Sequence, residues 1–229
     1  MFKLISFILL ACSVCGSATA LEPDKLFTLI SPSVWLVRTF DADGLPLGSG
    51  SAVVIEKHKL ITNCHVLGKA SSFSLIKDKV SYKGALEEVD LEHDFCLISV
   101  ADPHFDAPAV KIADSDQLSV GQRVVTLGNP RALEMTLSDG LISRLQHGDD
   151  DQLEAIQTSA PFSPGSSGGG LFDVEGRLLG ITQRINVQTG SQNLNFALPI
   201  NWLRELPERS KAQLGEYYAA KSAHEPAAK

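Results

Sequence analysis

The segment Pro161-Phe162-Ser163-Pro164-Gly165-Ser166-Ser167-Gly168-Gly169-Gly170-Leu171 has the clearest chemical content in this sequence. It is rich in Gly and Ser and is followed by Leu171-Phe172 and the run Arg177-Leu178-Leu179-Gly180-Ile181, so it reads as a loop between two β-strands. A serine in such a turn is a candidate nucleophile, because a glycine-rich backbone can aim consecutive amide N–H groups into one concavity where a developing oxyanion would sit. Ser167 is the candidate, with the N–H groups of Gly165 and Ser167 as donors. The plain alternative is a flexible Gly/Ser loop with no chemistry.

A serine needs a base, usually a histidine whose other ring nitrogen is held by a carboxylate. Of six histidines, His65 stands out at the end of the apolar segment Leu60-Ile61-Thr62-Asn63-Cys64-His65, where a rigid element can fix an imidazole. His58, His93, His104, His147 and His224 lie in polar turns or the tail. The carboxylate candidate is Asp94, directly before the apolar run Phe95-Cys96-Leu97-Ile98, with Asp90 competing for the role. Taken singly, His65 reads as a satisfied core histidine and Asp94 as a turn residue; the three segments together read as a Ser-His-Asp set. A rival chemistry uses Cys64, His65, His93 and Cys96, whose identities suit zinc. Against it, neighbours on a strand point to opposite faces, so Cys64 and His65 do not readily grip one ion.

Many short strands must position these residues. Val34–Phe40, Gly48–Ile55 and Lys59–Asn63 are extended and separated by turns, and further short runs follow at 72–76, 79–82, 95–100, 123–127, 141–145, 153–158, 178–183 and 195–198. Pro23 to Ile30 has a helix start, with Pro23 early and Asp24 in the first turn. Almost no other helical periodicity is present before Asn201, so the expected class is all-β, barrel or sandwich. Pro, Asp and Ser cluster around Ala107-Pro108 and Asp114-Ser115-Asp116, the expected crossing between halves 21–113 and 114–204. The remainder, 205–229, is expected to be a helical or frayed tail.

Composition bounds the partners. The 229 residues are 44% hydrophobic, enough for a real core, and the net charge of −7 leaves no basic footprint for nucleic acid. Met1-Phe2-Lys3, the apolar Leu4–Val14 and Ala18-Thr19-Ala20 read as a signal peptide over 1–20, cleaved after Ala20, which implies an exported protein, periplasmic or secreted. Leu9-Leu10-Ala11-Cys12 offers a second reading, lipidation at Cys12 and membrane contact through the lipid. Cys12 and Cys15 would leave with the signal segment, so only Cys64 and Cys96 would remain.

Thr62-Asn63-Cys64-His65-Val66, His93-Asp94-Phe95-Cys96-Leu97-Ile98 and Pro164-Gly165-Ser166-Ser167-Gly168-Gly169 resemble, in that order, the histidine, aspartate and nucleophile motifs of trypsin-like serine proteases of the HtrA/Deg type. Gly48-Ser49-Gly50, Leu127-Gly128-Asn129-Pro130, Asp139-Gly140-Leu141-Ile142-Ser143 and Asn195-Phe196-Ala197-Leu198-Pro199 extend the resemblance over about Ser31 to Leu203. It implies two packed antiparallel β-barrels with the triad in the cleft, and a serine endopeptidase acting on extended or unfolded polypeptides without a cofactor. Ser167 would attack, His65 carry the proton, and Asp94 hold His65, while Ile181-Thr182-Gln183 would pair with the substrate backbone. Pro161 stands six residues before Ser167, where enzymes specific for basic residues carry an acid, so Pro161 and Phe162 imply a pocket for small or medium aliphatic side chains. Ser166 in place of the family's Asn or Asp, and Gly170 after the Gly pair, imply a looser turn whose oxyanion hole substrate or a partner would complete. No PDZ domain fits in Asn201–Lys229, and the oligomeric state is left open. Cys64 and Cys96 are expected as two buried small hydrophobes in preference to a disulfide. The rival function is a non-catalytic or latent peptide-binding module of the same fold.

Overall fold

The computed structural model describes residues 21–130, 135–183 and 194–222. The signal-peptide and lipidation readings fall on 1–20, outside the described residues. Helix α1 (Pro23–Ile30) begins with Pro23 at its first position and buries Leu26 and Ile30, one turn apart. A short 3-10 turn then leads into β1 (Val34–Phe40), β2 (Pro46–Glu56) and β3 (Lys59–Thr62), followed by the four-residue helix α2 (Cys64–Leu67). Strands β4 (Ser72–Lys77), β5 (Val80–Lys83), β6 (Ala85–Asp90) and β7 (Phe95–Ser99) complete a sheet ordered β5-β4-β1-β2-β3-β7-β6. All its pairings are antiparallel, and it curls into a half-barrel.

The second sheet holds β8 (Lys111–Ile112), β9 (Arg123–Gly128), β10 (Thr136–His147), β11 (Leu153–Thr158), β12 (Gly170–Asp173), β13 (Arg177–Gln183) and β14 (Asn195–Pro199). Six of these close into a barrel, in the order β12-β9-β10-β11-β14-β13, through the pairing of β12 with β13. Closure leaves those strands no free edge. Only β8 departs from the antiparallel pattern, adding in parallel to β13.

Strands β9, β12 and β13 of the closed barrel are buried on both faces, which is why β13 reads as a near-continuous apolar run and not as an alternation. Leu179 joins Val124, Ile142, Ile156, Leu171 and Ala197 in one cluster. Leu178 and Ile181 instead join a core shared by both sheets and α1, with Val53, Ile61, Phe95, Leu127, Leu26 and Ile30, a register shift in the β12–β13 pairing at Leu179 breaking the simple alternation. The half-barrel has its own cluster, in which Trp35, Tyr82 and Phe105 pack ring to ring. Cys64 and Cys96 lie in that cluster and form a disulfide, with an S–S distance of 2.14 Å. This corrects the expectation of two separate thiols. Thr62 and Cys96 are register partners, so the chain turning out of β3 into α2 brings Cys64 over Cys96. Both sulfurs required by the zinc alternative are held in that bond.

Helix α2 and strands β6 and β8 differ from the sequence expectation. Strand β6 is missing from it, because Ala85-Leu86-Glu87-Glu88-Val89-Asp90 has neither a β-branched run nor clean alternation. The tail takes the helical form that the sequence offered. After a 3-10 turn over Ile200–Arg204, helix α3 (Leu206–Ser222) packs along β6, with Leu206 fully buried and Leu214 and Tyr217 against the half-barrel core. Among the described residues no helix is long and apolar enough to cross a membrane.

Candidate active site

His65 lies in the first turn of α2 and not at the end of a strand, as its apolar lead-in suggested. Asp94 ends the turn Leu91–Asp94 between β6 and β7, which is closed at its base by the Asp90–Phe95 register pair. Its backbone is left-handed, with φ +57°, a region where Asp is among the better-tolerated residues. The Asp94 carbonyl accepts from Cys64 N–H at 3.3 Å and Asn63 Nδ2 at 3.2 Å, tying this turn to the start of α2. The carboxylate then accepts from both ends of one residue: His65 N–H reaches Oδ1 at 2.8 Å and His65 Nδ1 lies 2.6 Å from Oδ2. An ionised carboxylate only accepts, so Nδ1 carries the hydrogen and Nε2 is left with a lone pair free to take a proton. Between the two carboxylates weighed from sequence the geometry is decisive, since Asp90 holds His93 and Asp94 holds His65.

Gln183 Nε2 donates to Asp94 Oδ2 at 2.9 Å. The expectation that Ile181-Thr182-Gln183 pairs with a substrate backbone is corrected for Ile181 and Thr182. Ile181 and Thr182 are buried and flanked by β14 on one side and by β12 and Gly168-Gly169 on the other. Thr182 N–H donates to the Gly169 carbonyl, and the Thr182 carbonyl accepts from Gly168 N–H. Gln183 acts through its side chain, as a support for Asp94.

The Ser167 turn is fastened across both sheets. Ser51 N–H in β2 donates to the Ser167 carbonyl at 2.7 Å, and Ser51 Oγ donates to the Gly165 carbonyl at 3.0 Å. Ser166 N–H donates to the Ser163 carbonyl, and the Ser166 carbonyl accepts from Thr182 Oγ1 at 2.6 Å and from Gly169 N–H at 2.8 Å. Gly168 has φ +82°, and a Cβ there would lie 2.0 Å from the Ser51 carbonyl oxygen, so only glycine fits. Gly50 is similarly closed, because a Cβ would sit 2.5 Å from Val66 beside His65. The Gly165 and Ser167 N–H groups, by contrast, meet no acceptor among the described residues. Both residues line a recess of about 460 Å³ together with His65, Leu47, Val66 and Lys69. Base, serine and two unengaged donors therefore share one cavity.

Pro161 and Phe162 line a smaller recess of about 130 Å³ on the other side of the turn, walled also by Thr126, Gly128, Thr136, Ser138 and Ser166. Among the described residues no charged side chain contributes to that wall. The hydroxyl residues of β9 and β10 escaped the sequence reading, yet the signal was present: Thr126 faces Ser138 and Gly128 faces Thr136 in register, and a two-residue period puts each pair on one face. Ser51 was missed as well, its importance being visible only once β2 is laid against the serine turn.

A family model described as a trypsin-like peptidase domain matches residues 50–181, from Gly50 to Ile181 and across all three candidate residues. The chain belongs to the trypsin-like peptidase family. Within that family it is similar to HtrA-type members. It is 31% identical over 201 residues to serine protease HTR4 of Bos taurus, covering 81% of this chain and 40% of the relative. It is 32% identical over 178 residues to the periplasmic serine endoprotease DegP of Escherichia coli K12, covering 76% and 36%. The solved structure of the HtrA-type protease AlgW with a tripeptide superposes with a TM-score of 0.71 at 29% identity, over 82% of this chain and 63% of that one. This trypsin-like chain thus spans about two fifths of the length of the curated relatives it matches.

Proposed function

We propose that the protein is an exported serine endopeptidase that hydrolyses extended polypeptides through Ser167, His65 and Asp94. The observation that carries the reading is the Asp94–His65 pair, with Nδ1 engaged and Nε2 free, in one recess with Ser167 and the unengaged N–H groups of Gly165 and Ser167. In the reaction Ser167 Oγ bonds to the scissile carbonyl carbon as His65 Nε2 takes the hydroxyl proton, and the carbonyl oxygen becomes an anion held by the two N–H donors. Collapse breaks the C–N bond, and His65 returns the proton to the leaving amine. Water then repeats the cycle on the acyl-enzyme and frees Ser167.

Orientation of the chain follows from the proton path. His65 must reach the leaving amine, so the segment after the cut lies over the recess of Leu47, Val66 and Lys69. The side chain before the cut enters the smaller recess of Pro161, Phe162 and Ser138, whose size and a wall uncharged among the described residues favour small or medium aliphatic residues. A polypeptide substrate agrees with a similar HtrA-type structure described with a tripeptide. Export to the periplasm agrees with the Ala18-Thr19-Ala20 signal pattern and with relatives named as periplasmic.

The test is labelling of the purified protein with a fluorophosphonate probe, followed by digestion of an unfolded protein substrate. Wild type is expected to be labelled and to cleave, and Ser167→Ala and His65→Ala to do neither. A folded wild type that stays unlabelled overturns the constitutive enzyme and favours a peptide-binding module of the same fold.

A further inference from the structure

The turn between β6 and β7 carries two His–Asp pairs back to back. Asp94 faces His65, whereas His93 points the opposite way and donates from Nδ1 to Asp90 at 2.9 Å. Asp90 is completely buried, and its carboxylate also accepts from His93 N–H at 3.2 Å, from Arg209 Nε and from Gln213 Nε2 at 3.5 Å. An unpaired buried carboxylate is strongly disfavoured, so these donors fix where α3 can lie. Two backbone groups strengthen the docking: Val89 N–H donates to Ser210 Oγ at 2.9 Å and Leu91 N–H to Gln213 Oε1 at 2.6 Å. Side chains of a helix thus take the place of a partner strand at the edge of β6.

Arg209 is the hub. It donates from Nη2 to the Trp202 carbonyl at 2.6 Å, pairs with Glu205 through Nη1, and sits 5.1 Å above the Trp202 indole. The His93 ring stacks on that same indole at 3.9 Å with an interplanar angle of 28°. His93 is therefore held by a hydrogen bond and by stacking, and Asp94 is the next residue, in a left-handed conformation that its surroundings must maintain.

We propose that Arg209 is a positioning residue for peptide hydrolysis: by holding Asp90 and the Trp202 ring it fixes His93, and through His93 the backbone that presents Asp94 to His65. The inference rests on the Ser167-His65-Asp94 reading above, and it makes the segment from Trp202 to Gln213 a working part of the active site. A helix that merely covers an edge strand would set stability alone, and the two roles separate experimentally.

The variants are Arg209→Ala, Arg209→Lys and His93→Phe, the last keeping a ring on Trp202 without the bond to Asp90. Each is assayed well below its melting temperature. Arg209→Ala and His93→Phe are expected to lower kcat about tenfold with KM within about twofold, the pattern of a lost transition-state interaction. The acid limb of kcat/KM should move down by about one pH unit, as His65 loses part of its carboxylate support. The low-field proton resonance of His65 Nδ1–H, which needs no turnover, should broaden in both variants and be partly restored in Arg209→Lys. If folded Arg209→Ala and His93→Phe keep the wild-type kcat, pH profile and resonance, Arg209 is structural only and the inference fails. Should Arg209→Ala fail to fold, His93→Phe gives the same readings. If wild type neither cleaves nor labels, the peptidase reading fails, while the resonance still reports whether Arg209 positions the pair.

Discussion

Replacing both Cys64 and Cys96 by Ala tests the bond that joins α2 to β7 immediately beside the candidate triad. The two residues are 32 apart in sequence, and closing a loop of that length in the unfolded chain removes about 12 cal/mol/K of entropy, about 3.7 kcal/mol at 25 °C. Both side chains are buried, so the variant also loses a little apolar contact, and a total near 4 kcal/mol is expected. In a domain of this size that is about 8–15 °C in Tm. Urea unfolding of wild type with and without reductant, beside the double variant, reads the effect; the variant and the reduced wild type should share a midpoint well below that of the oxidised protein. Two free thiols titrated in a denatured, unreduced chain beginning at Leu21, or four in the full chain, would refute the premise outright. An unchanged midpoint on reduction would refute the energetics, leaving a bond that restrains neither state. Activity should fall further than stability alone explains, since His65 follows Cys64 directly and Asp94 stands two residues before Cys96.

Gly168→Ala should destabilise by more than about 3 kcal/mol, combining roughly 1–2 kcal/mol for a left-handed non-glycine with displacement of the Ser51 carbonyl, and should abolish probe labelling in whatever folds. Ser138→Leu should fill the smaller recess and raise the preference for Ala over Val before the cut by about tenfold or more, read as a ratio of kcat/KM on paired peptides; an unchanged ratio would mean that another pocket reads this side chain. Asp90 supplies the pH dependence: burial pushes its carboxyl up, but the hydrogen bonds from His93 and Arg209 outweigh this and hold it below the ordinary value of 3.8. A depressed carboxylate stabilises the fold in full above that value and loses the contribution as pH falls through its folded value, so urea midpoints should drop below about pH 4 in wild type and drop less steeply in Asp90→Asn.

Much of the fold was legible in the sequence because its signals are local. Val34–Phe40 and Lys59–Thr62 are extended runs bounded by turns, and Pro23-Asp24 opens a helix that ends before Pro32. Strand β6 was not legible, because what defines it is its neighbours, β7 on one edge and the side chains of α3 on the other, more than a hundred residues away. The disulfide was hidden for a related reason. The pairing of β3 with β7 that sets Thr62 opposite Cys96 is not a local signal, and the chain must then leave β3 and enter α2 for Cys64 to reach Cys96 across a sequence separation of 32. Gln183 was assigned to the correct strand, but a period-two pattern cannot say that its side-chain amide reaches Asp94, 89 positions distant.

The candidate site lies where neither sheet alone could build it, and this explains which of its residues carry a motif. The half-barrel supplies His65 and Asp94, the closed barrel supplies Ser167, and Ser51, Gly50 and Gly168 are the places where the two backbones approach most closely. At Gly168 a Cβ has no room against the Ser51 carbonyl, and at Gly50 it would collide with Val66 and crowd the Ser167 carbonyl at 3.1 Å, so this contact has a glycine on each side. The polar residues that fasten the site from outside face no such demand. Arg209, His93 and Gln213 satisfy one buried carboxylate, and any set of donors with the same reach could do so. Their identities therefore leave no short pattern in the sequence, although they brace the turn on which Asp94 stands.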